Sequence, residues 1–313
     1  MNELKKGKRA DRVRAVIPYV GLLLVVLIFG VWSKGELFDG RNLIPVFNNC
    51  FNIMFAAIGL TFVLSQGTLD LSIGGVVTFC GILGAFAANV NPYLLLPVTL
   101  SLGLLLGFVN GFIAAKLHVN GFIATLAMGN VLTGLSVIIL YSSGIGIPLE
   151  MLSWSTTSMR VAVLCVAFLA GFIILEFMPF GRRLRAVGAS SIAADYAGVS
   201  STKYQWIGYT ITGAMSGLLA FFIVIRSGSA TSAMGGTLQF DALIALLIGG
   251  FPLQGGTNSH ARSALIGSLT LSILVFGMTL CRVDTTALQL VKGLLFLFVV
   301  VLTFDRESTP VIK

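Results

Sequence analysis

The sequence predicts an all-α polytopic membrane protein of about ten transmembrane helices, and three observations carry that prediction. Of the 313 residues, 56% are hydrophobic and only 10% charged, against about 25% charged in an ordinary soluble domain, and the mean hydropathy is +0.97. The apolar residues gather into runs near 16–32, 43–65, 73–90, 93–115, 121–141, 161–179, 205–226, 240–253, 263–281 and 286–304. Most approach the ~20 residues that a helix needs to cross ~30 Å of hydrocarbon; the eighth is short, and the sequence leaves open whether it crosses fully. The 36 glycines suit spans packed backbone to backbone, because lipid gives no hydrophobic push between helices and small residues permit close approach.

The first run follows a basic cluster of Lys5, Lys6, Lys8, Arg9, Arg12 and Arg14. It resembles the start of a signal peptide, but no small-x-small cleavage site follows Val31-Trp32-Ser33, so it reads as a retained span. Placing the cluster in the cytoplasm puts Lys116 and His118, the segment with Arg182, Arg183, Arg185 and Lys203, then His260 and Arg262, and finally Arg306 and Lys313 on the same side. The net charge of +8 is thus explained by orientation in the bilayer, and no basic face for nucleic acid is indicated. The organisation expected is a cytoplasmic N-terminus at 1–15, a membrane domain at 16–304 with a long cytoplasmic loop at 180–204, and a cytoplasmic tail at 305–313.

Spans 2–5 start from the opposite side to spans 7–10, the topology of an inverted repeat. TLDLSIGGVV at 68–77 and QFDALIALLIGGF at 239–251 each set an Asp ahead of an apolar stretch and a Gly-Gly pair; chance likeness between two Gly-rich apolar segments is the alternative.

Several residues invite a chemical role. In SQGTLDLSIGG (65–75) Asp70 either faces a cavity or polar partner, as a costly intramembrane carboxylate must, or joins Ser72 in capping the next helix. Asn48 and Asn52 share a helical face with Phe47, Phe51 and Phe55 close behind; amides beside aromatic rings suit a sugar, while interhelical hydrogen bonding is the plainer reading. Glu176, Arg226, Asp241 and Lys292 lie near span ends where side chains can snorkel, and Asp241 and Lys292 are functional candidates. Cys50, Cys80, Cys165 and Cys281 form no C-x-x-C pair, and His118 and His260 alone build no metal cluster. No P-loop, GxSxG or HExxH occurs, so no catalysis or cofactor is assigned to this chain.

The loop GRRLRAVGASSIAADYAGVS (181–200) stands apart. Arg182, Arg183 and Arg185 would anchor the sixth span at the headgroups. Ser191 would cap a short helix over 192–197, and Gly198 would close it in the left-handed conformation. Such a helix is marginal alone in water and must dock. Ala193, Ala194 and Ala197 offer a flat face, Ile192 and Tyr196 a small ridge; the surface met is either the protein's own or a cytoplasmic partner's.

Four elements in order resemble the ribose-type, or simple-sugar, permeases of bacterial ABC importers. They are Gly67-Thr68-Leu69-Asp70-Leu71-Ser72-Ile73-Gly74; Asn110-Gly111 with Lys116-Leu117, Val119 and Phe122-Ile123-Ala124-Thr125-Leu126; Gly181-Arg182-Arg183 with Ala186, Gly188, Ala193-Ala194 and Gly198-Val199; and Ile248-Gly249-Gly250 with Gly255-Gly256. The resemblance implies a multi-pass permease of the bacterial inner membrane with both termini cytoplasmic. It also implies a cytoplasmic ATPase that binds the ATP and Mg, an extracytoplasmic sugar-binding protein, and a second permease copy or related subunit. It assigns coupling to the ATPase to Gly188, Ser191, Ile192, Ala193, Ala194, Asp195, Tyr196, Ala197 and Gly198. Ile192 and Asp195 depart from the family pattern, which commonly has an acidic and a basic residue there. The solute expected is a pentose- or hexose-like sugar. The alternatives are a furanose-type signalling molecule, a nucleoside, or ion-coupled transport.

Overall fold

The computed structural model describes the backbone of residues 2–141 and 144–303 and the side chains of 16–141 and 144–301. The basic side chains of the N-terminus and the tail at 305–313 lie outside the described residues. The chain order is α1 (Asn2–Trp32), α2 (Gly40–Leu64), α3 (Ile73–Val90), α4 (Leu95–Gly111), α5 (Gly121–Leu140), α6 (Thr157–Glu176), α7 (Pro179–Ala189), α8 (Ser191–Tyr196), α9 (Ser201–Ser227), α10 (Leu238–Ile248), α11 (Arg262–Leu280) and α12 (Thr285–Thr303). Among the described residues seven helices are long and apolar enough to cross a membrane, and three shorter apolar ones, Val16–Trp32, Leu238–Ile248 and Thr285–Val301, coincide with the first, eighth and tenth sequence runs. The protein is therefore an all-α polytopic membrane protein.

Helix packing follows the glycines. Gly103, Gly107 and Gly111, four apart on one face of α4, lie against Gly213, Gly217 and the Trp206–Tyr209 backbone of α9. Residue numbers rise along α4 as they fall along α9, so the two run antiparallel. α2 crosses α9 in the same sense, with Gly59 against Thr212 and Met215, Phe51 against Phe222 at 5.3 Å between ring centroids, and Thr212 Oγ1 donating to Gly59 O at 2.8 Å.

The pairings of the first half recur in the second with partners exchanged. α4 packs along α9 as α11 packs along α2; α3 meets α9 as α10 meets α2; α3 lies beside α4 and α5 as α10 lies beside α11 and α12. α2 and α9, and α3 and α10, also touch each other, as elements beside a pseudo-two-fold axis must. This is the arrangement expected of the inverted repeat.

α10 is a shortened span, and α3, its counterpart in the repeat, follows a non-helical stretch. α10 has 11 residues, about 16 Å of helix, half the hydrocarbon thickness, and the non-helical stretches 228–237 and 249–261 complete its path. α3 is preceded by the non-helical 65–72, buried at Ser65, Gln66 and Asp70–Ser72 and open at Gly67. Irregular backbone at membrane depth survives only where protein or a water-filled cavity satisfies it. Here Thr125 Oγ1 accepts from Leu71 N at 3.0 Å and Tyr209 Oη donates to Leu69 O at 3.1 Å. At one end a two-residue antiparallel pairing of β1 (Ile145–Gly146) with β2 (Ser229–Ala230) joins the halves, and Asn89 Nδ2 donates to Gly146 O at 2.8 Å. α7 and α8 occupy the other end, beside residues 65–67 and 254–261.

Gly213→Val would set a side chain where even a Cβ falls 2.3 Å from Gly103 O. A loss of about 3 kcal/mol or more is expected, read as a fall of roughly 10 °C in the melting temperature of the purified protein. Gly134→Ala, with nothing within 4 Å of its Cβ, is expected to leave that temperature unchanged or slightly raised.

Candidate functional site

The loop between α6 and α9 forms two helices. α7 runs from Pro179, at a first-turn position that needs no N–H, to Ala189 and buries Leu184 and Val187. α8 is capped by Ser190, one residue earlier than the sequence spacing suggested: Ser190 is extended at φ −164°, ψ 111°, and its Oγ accepts the Ala193 N–H at 3.2 Å. Ser191 is thus already helical. Gly198, at φ 81°, closes the turn in the left-handed region as expected.

The face that α8 turns to its own protein is narrow. Ala194 is only 5% exposed, whereas Ile192 is 70% and Tyr196 91% exposed; Ala193 and Ala197 are open as well. The flat alanine face is therefore split, with Ala194 inward and the ridge outward. Asp195 points its carboxylate to α9, accepting from Ser201 N and Ser201 Oγ, both at 2.7 Å. The backbone bond and then the hydroxyl bond hold the Asp195 carboxyl below its ordinary range, so this tie is intact at neutral pH and is lost only as pH falls through the lowered value.

α7 grips both halves. A Cβ on Gly188 would fall 2.1 Å from Ser65 O and 2.7 Å from Gly256 N, so glycine there lets α7 meet the 65–67 turn and the 254–256 loop at backbone distance. Gly256 N donates to Ser65 O at 3.0 Å, while Gly67 and Gly255 adopt positive φ of 74° and 68°, conformations that glycine adopts at no steric cost. Beside this joint, Glu176 accepts from Arg185 at 3.0 Å and Ala261 N at 3.1 Å and contacts His260 Nδ1 at 3.2 Å; Arg185 also donates to Leu175 O and Ser259 O. Glu176 and Arg185 therefore face inward at a junction of α6, α7 and the loop before α11. They do not reach for headgroups, because burial without a partner would cost far more.

The other candidates separate. Asn48 accepts from Arg160 Nη1, whose guanidinium also lies 5.7 Å from the Phe47 ring. α6 begins earlier than its sequence run, so Arg160 is a buried first-turn residue of a helix. Phe51 sits in an aromatic core with Phe55 and Phe222, and Asn52 is half-buried nearby. Asp70, 1% exposed, accepts from Ser72 N at 2.9 Å and Ser72 Oγ at 2.6 Å, and Asn110 Nδ2 donates on to Ser72 Oγ at 2.8 Å. Asp241 and Lys292, the two intramembrane charges singled out above, are each other's partner: Lys292 Nζ donates to Asp241 Oδ1 at 2.7 Å and Thr237 Oγ1 to Asp241 Oδ2 at 3.2 Å.

A cavity of about 180 Å³ lies between α3, α5 and the stretch leading into α10. Thr78, Asn130, Thr133, Ser232 and Gln239 supply its polar lining and Gly74, Gly75, Gly129 and Gly236 its open backbone. Sequence reasoning missed these residues. The available signal was the pair of Gly-interrupted apolar segments in corresponding positions of the two halves, since the cavity lies where those interruptions meet.

An interrupted-helix repeat around a polar cavity, with a short exposed helix at one end, is the build of a membrane permease. The family model described as branched-chain amino acid transport system / permease component matches residues 42–300; the chain belongs to that family, a transporter component and not an enzyme. Its relatives include the ribose import permease RbsC of Escherichia coli K12, 30% identical over 83% of this chain and 87% of that protein. The fructose import permease FrcC of Rhizobium meliloti is 27% identical over 91% and 84%, and the autoinducer 2 import system permease LsrC of Photorhabdus laumondii is 27% identical over 91% and 87%. No solved structure matches the chain.

Asp241→Asn should leave Lys292 buried and unpaired, at a cost of about 3–5 kcal/mol, seen as a lower melting temperature of the purified protein. The double substitution Asp241→Asn with Lys292→Met should recover most of that loss; equal damage in single and double variants would contradict the pairing.

Proposed function

We propose that the chain is the membrane-spanning subunit of an ATP-driven ABC importer that carries a simple sugar across the bacterial inner membrane. The observation that carries this reading is the exposed Ile192–Tyr196 ridge on a capped six-residue helix. The ridge leaves apolar surface waiting for a partner, and the helix is tied to α9 directly and, through α7, to loops of both halves of the bundle. The named solutes of the relatives, ribose and fructose among them, support the sugar. In this reading the α7–α8 end and both termini face the cytoplasm, an ATPase receives the ridge, and a binding protein delivers the sugar at the opposite end.

Movement then has a defined route. A push on α8 passes to α9 through Asp195 and Ser201 and, by way of Gly188 on α7, to Ser65 at the end of α2, where the stretch leading into α3 begins. It reaches the loop before α11 through Arg185, Glu176 and Ser259. The two halves rock against each other about the interrupted helices, and access to the cavity alternates. The permease works beside a second copy or a related subunit.

Ile192→Asp with Tyr196→Asp should leave membrane insertion and melting temperature intact, because both side chains are exposed, yet abolish co-purification with the ATPase and cut ATP-dependent sugar uptake to about a tenth or less. Ser190→Ala, which removes the cap at about 1 kcal/mol, should give an intermediate loss. Unchanged co-purification and uptake in the double variant would contradict the assignment of this face.

A further inference from the structure

The cavity combines two properties that together define a ligand chemistry. Its lining holds amides and hydroxyls but no ionisable side chain. Some of those polar groups are already committed: Thr78 Oγ1 donates to Gly74 O and accepts from Gly235 N, both at 2.9 Å, and Thr133 Oγ1 donates to Gly129 O at 2.9 Å. Gln239 is different. Its Oε1 is buried with no hydrogen-bond partner, and it lies where even a Cβ on Gly74 would come within 2.2 Å, so the glycine makes room for the amide. Asn130, near the middle of α5, and Ser232, in the stretch before α10, have no protein partner for their side chains among the described residues.

A buried unpaired amide costs about 1–3 kcal/mol and calls for an occupant. We infer that Gln239, Asn130 and Ser232 are the polar groups that read the solute in transit, and that the solute is a neutral polyhydroxylated molecule. Amides donate and accept at once, as hydroxyls do, so they match a sugar at several points without fixing one register. A zwitterionic amino acid, the solute class in the family's description, would find no countercharge in this lining. Leaving water with unpaired charges is far more costly than leaving it with hydroxyls. Asp241 is two residues beyond Gln239 on α10 and is neutralised by Lys292, so its charge is held away from the solute.

The inference rests on the importer reading, and one experiment separates the two. Proteoliposomes holding the permease with its ATPase and binding protein are assayed for uptake of radiolabelled ribose and fructose, with binding-protein-stimulated ATP hydrolysis measured in parallel. For Gln239→Leu and Asn130→Leu, uptake per ATP hydrolysed is expected to fall about tenfold, the worth of one hydrogen bond, while stimulated hydrolysis stays within about twofold. Gln239→Asn and Asn130→Gln, which keep an amide, should recover part of the loss. Wild-type uptake in both Leu variants would overturn the inference, and so would parallel loss of uptake and hydrolysis, which would make these residues part of the packing. If the wild type moves neither sugar with ATP, the importer reading fails and this inference fails with it.

Discussion

Hydrocarbon offers no hydrogen bonds, so any backbone in this protein that leaves the helix must be satisfied by the protein itself. That constraint shapes the rest of the structure. The chain breaks helicity at 65–72 and at 228–237, and each break receives hydrogen bonds from helices packed beside it. Thr125 and Tyr209 serve the first break; Thr78 serves the second by receiving the Gly235 N–H. Tyr209 and Thr78 thus each reach from one half to the break in the other, while Thr125 serves its own half, and the cavity lies where the breaks meet.

Charge is used just as sparingly. Arg160 is held by Asn48, Lys292 by Asp241, and Arg185 by Glu176, so two of these buried charges cross-link helices distant in sequence and the third pins α7 to the end of α6. The Glu176 junction and the Gly188 contact bring α7 against loops of both halves. With α8 held by Ala194 and Asp195, the exposed ridge has a firm footing on α7 and α9.

Much of this was legible in the sequence. Hydropathy located the spans, because a membrane demands long uninterrupted apolar runs, and the basic, alanine-rich stretch at 181–200 stood out as the one segment unsuited to lipid. The inverted topology followed from counting crossings. What escaped was whatever depends on partners far apart along the chain. Asp241 and Lys292 looked like separate charges near span ends, and Arg160 lay outside the apolar run at 161–179 because its helix begins before that run does. Asn48 beside Phe47 suggested sugar binding until Arg160 was seen to occupy the amide. Ser191 and Ser190 are equivalent by composition, and only backbone geometry decides which caps α8. The cavity residues are small and polar on three separated segments, and no local pattern groups them.

The central claim is that this chain is driven by ATP hydrolysed on a partner. The most direct measurement follows radiolabelled sugar entering proteoliposomes that contain the permease, its ATPase and its binding protein, with and without ATP, and with and without ionophores. The account predicts uptake that requires ATP and withstands collapse of ion gradients. Uptake that continues without ATP and stops when the gradients are dissipated would contradict it.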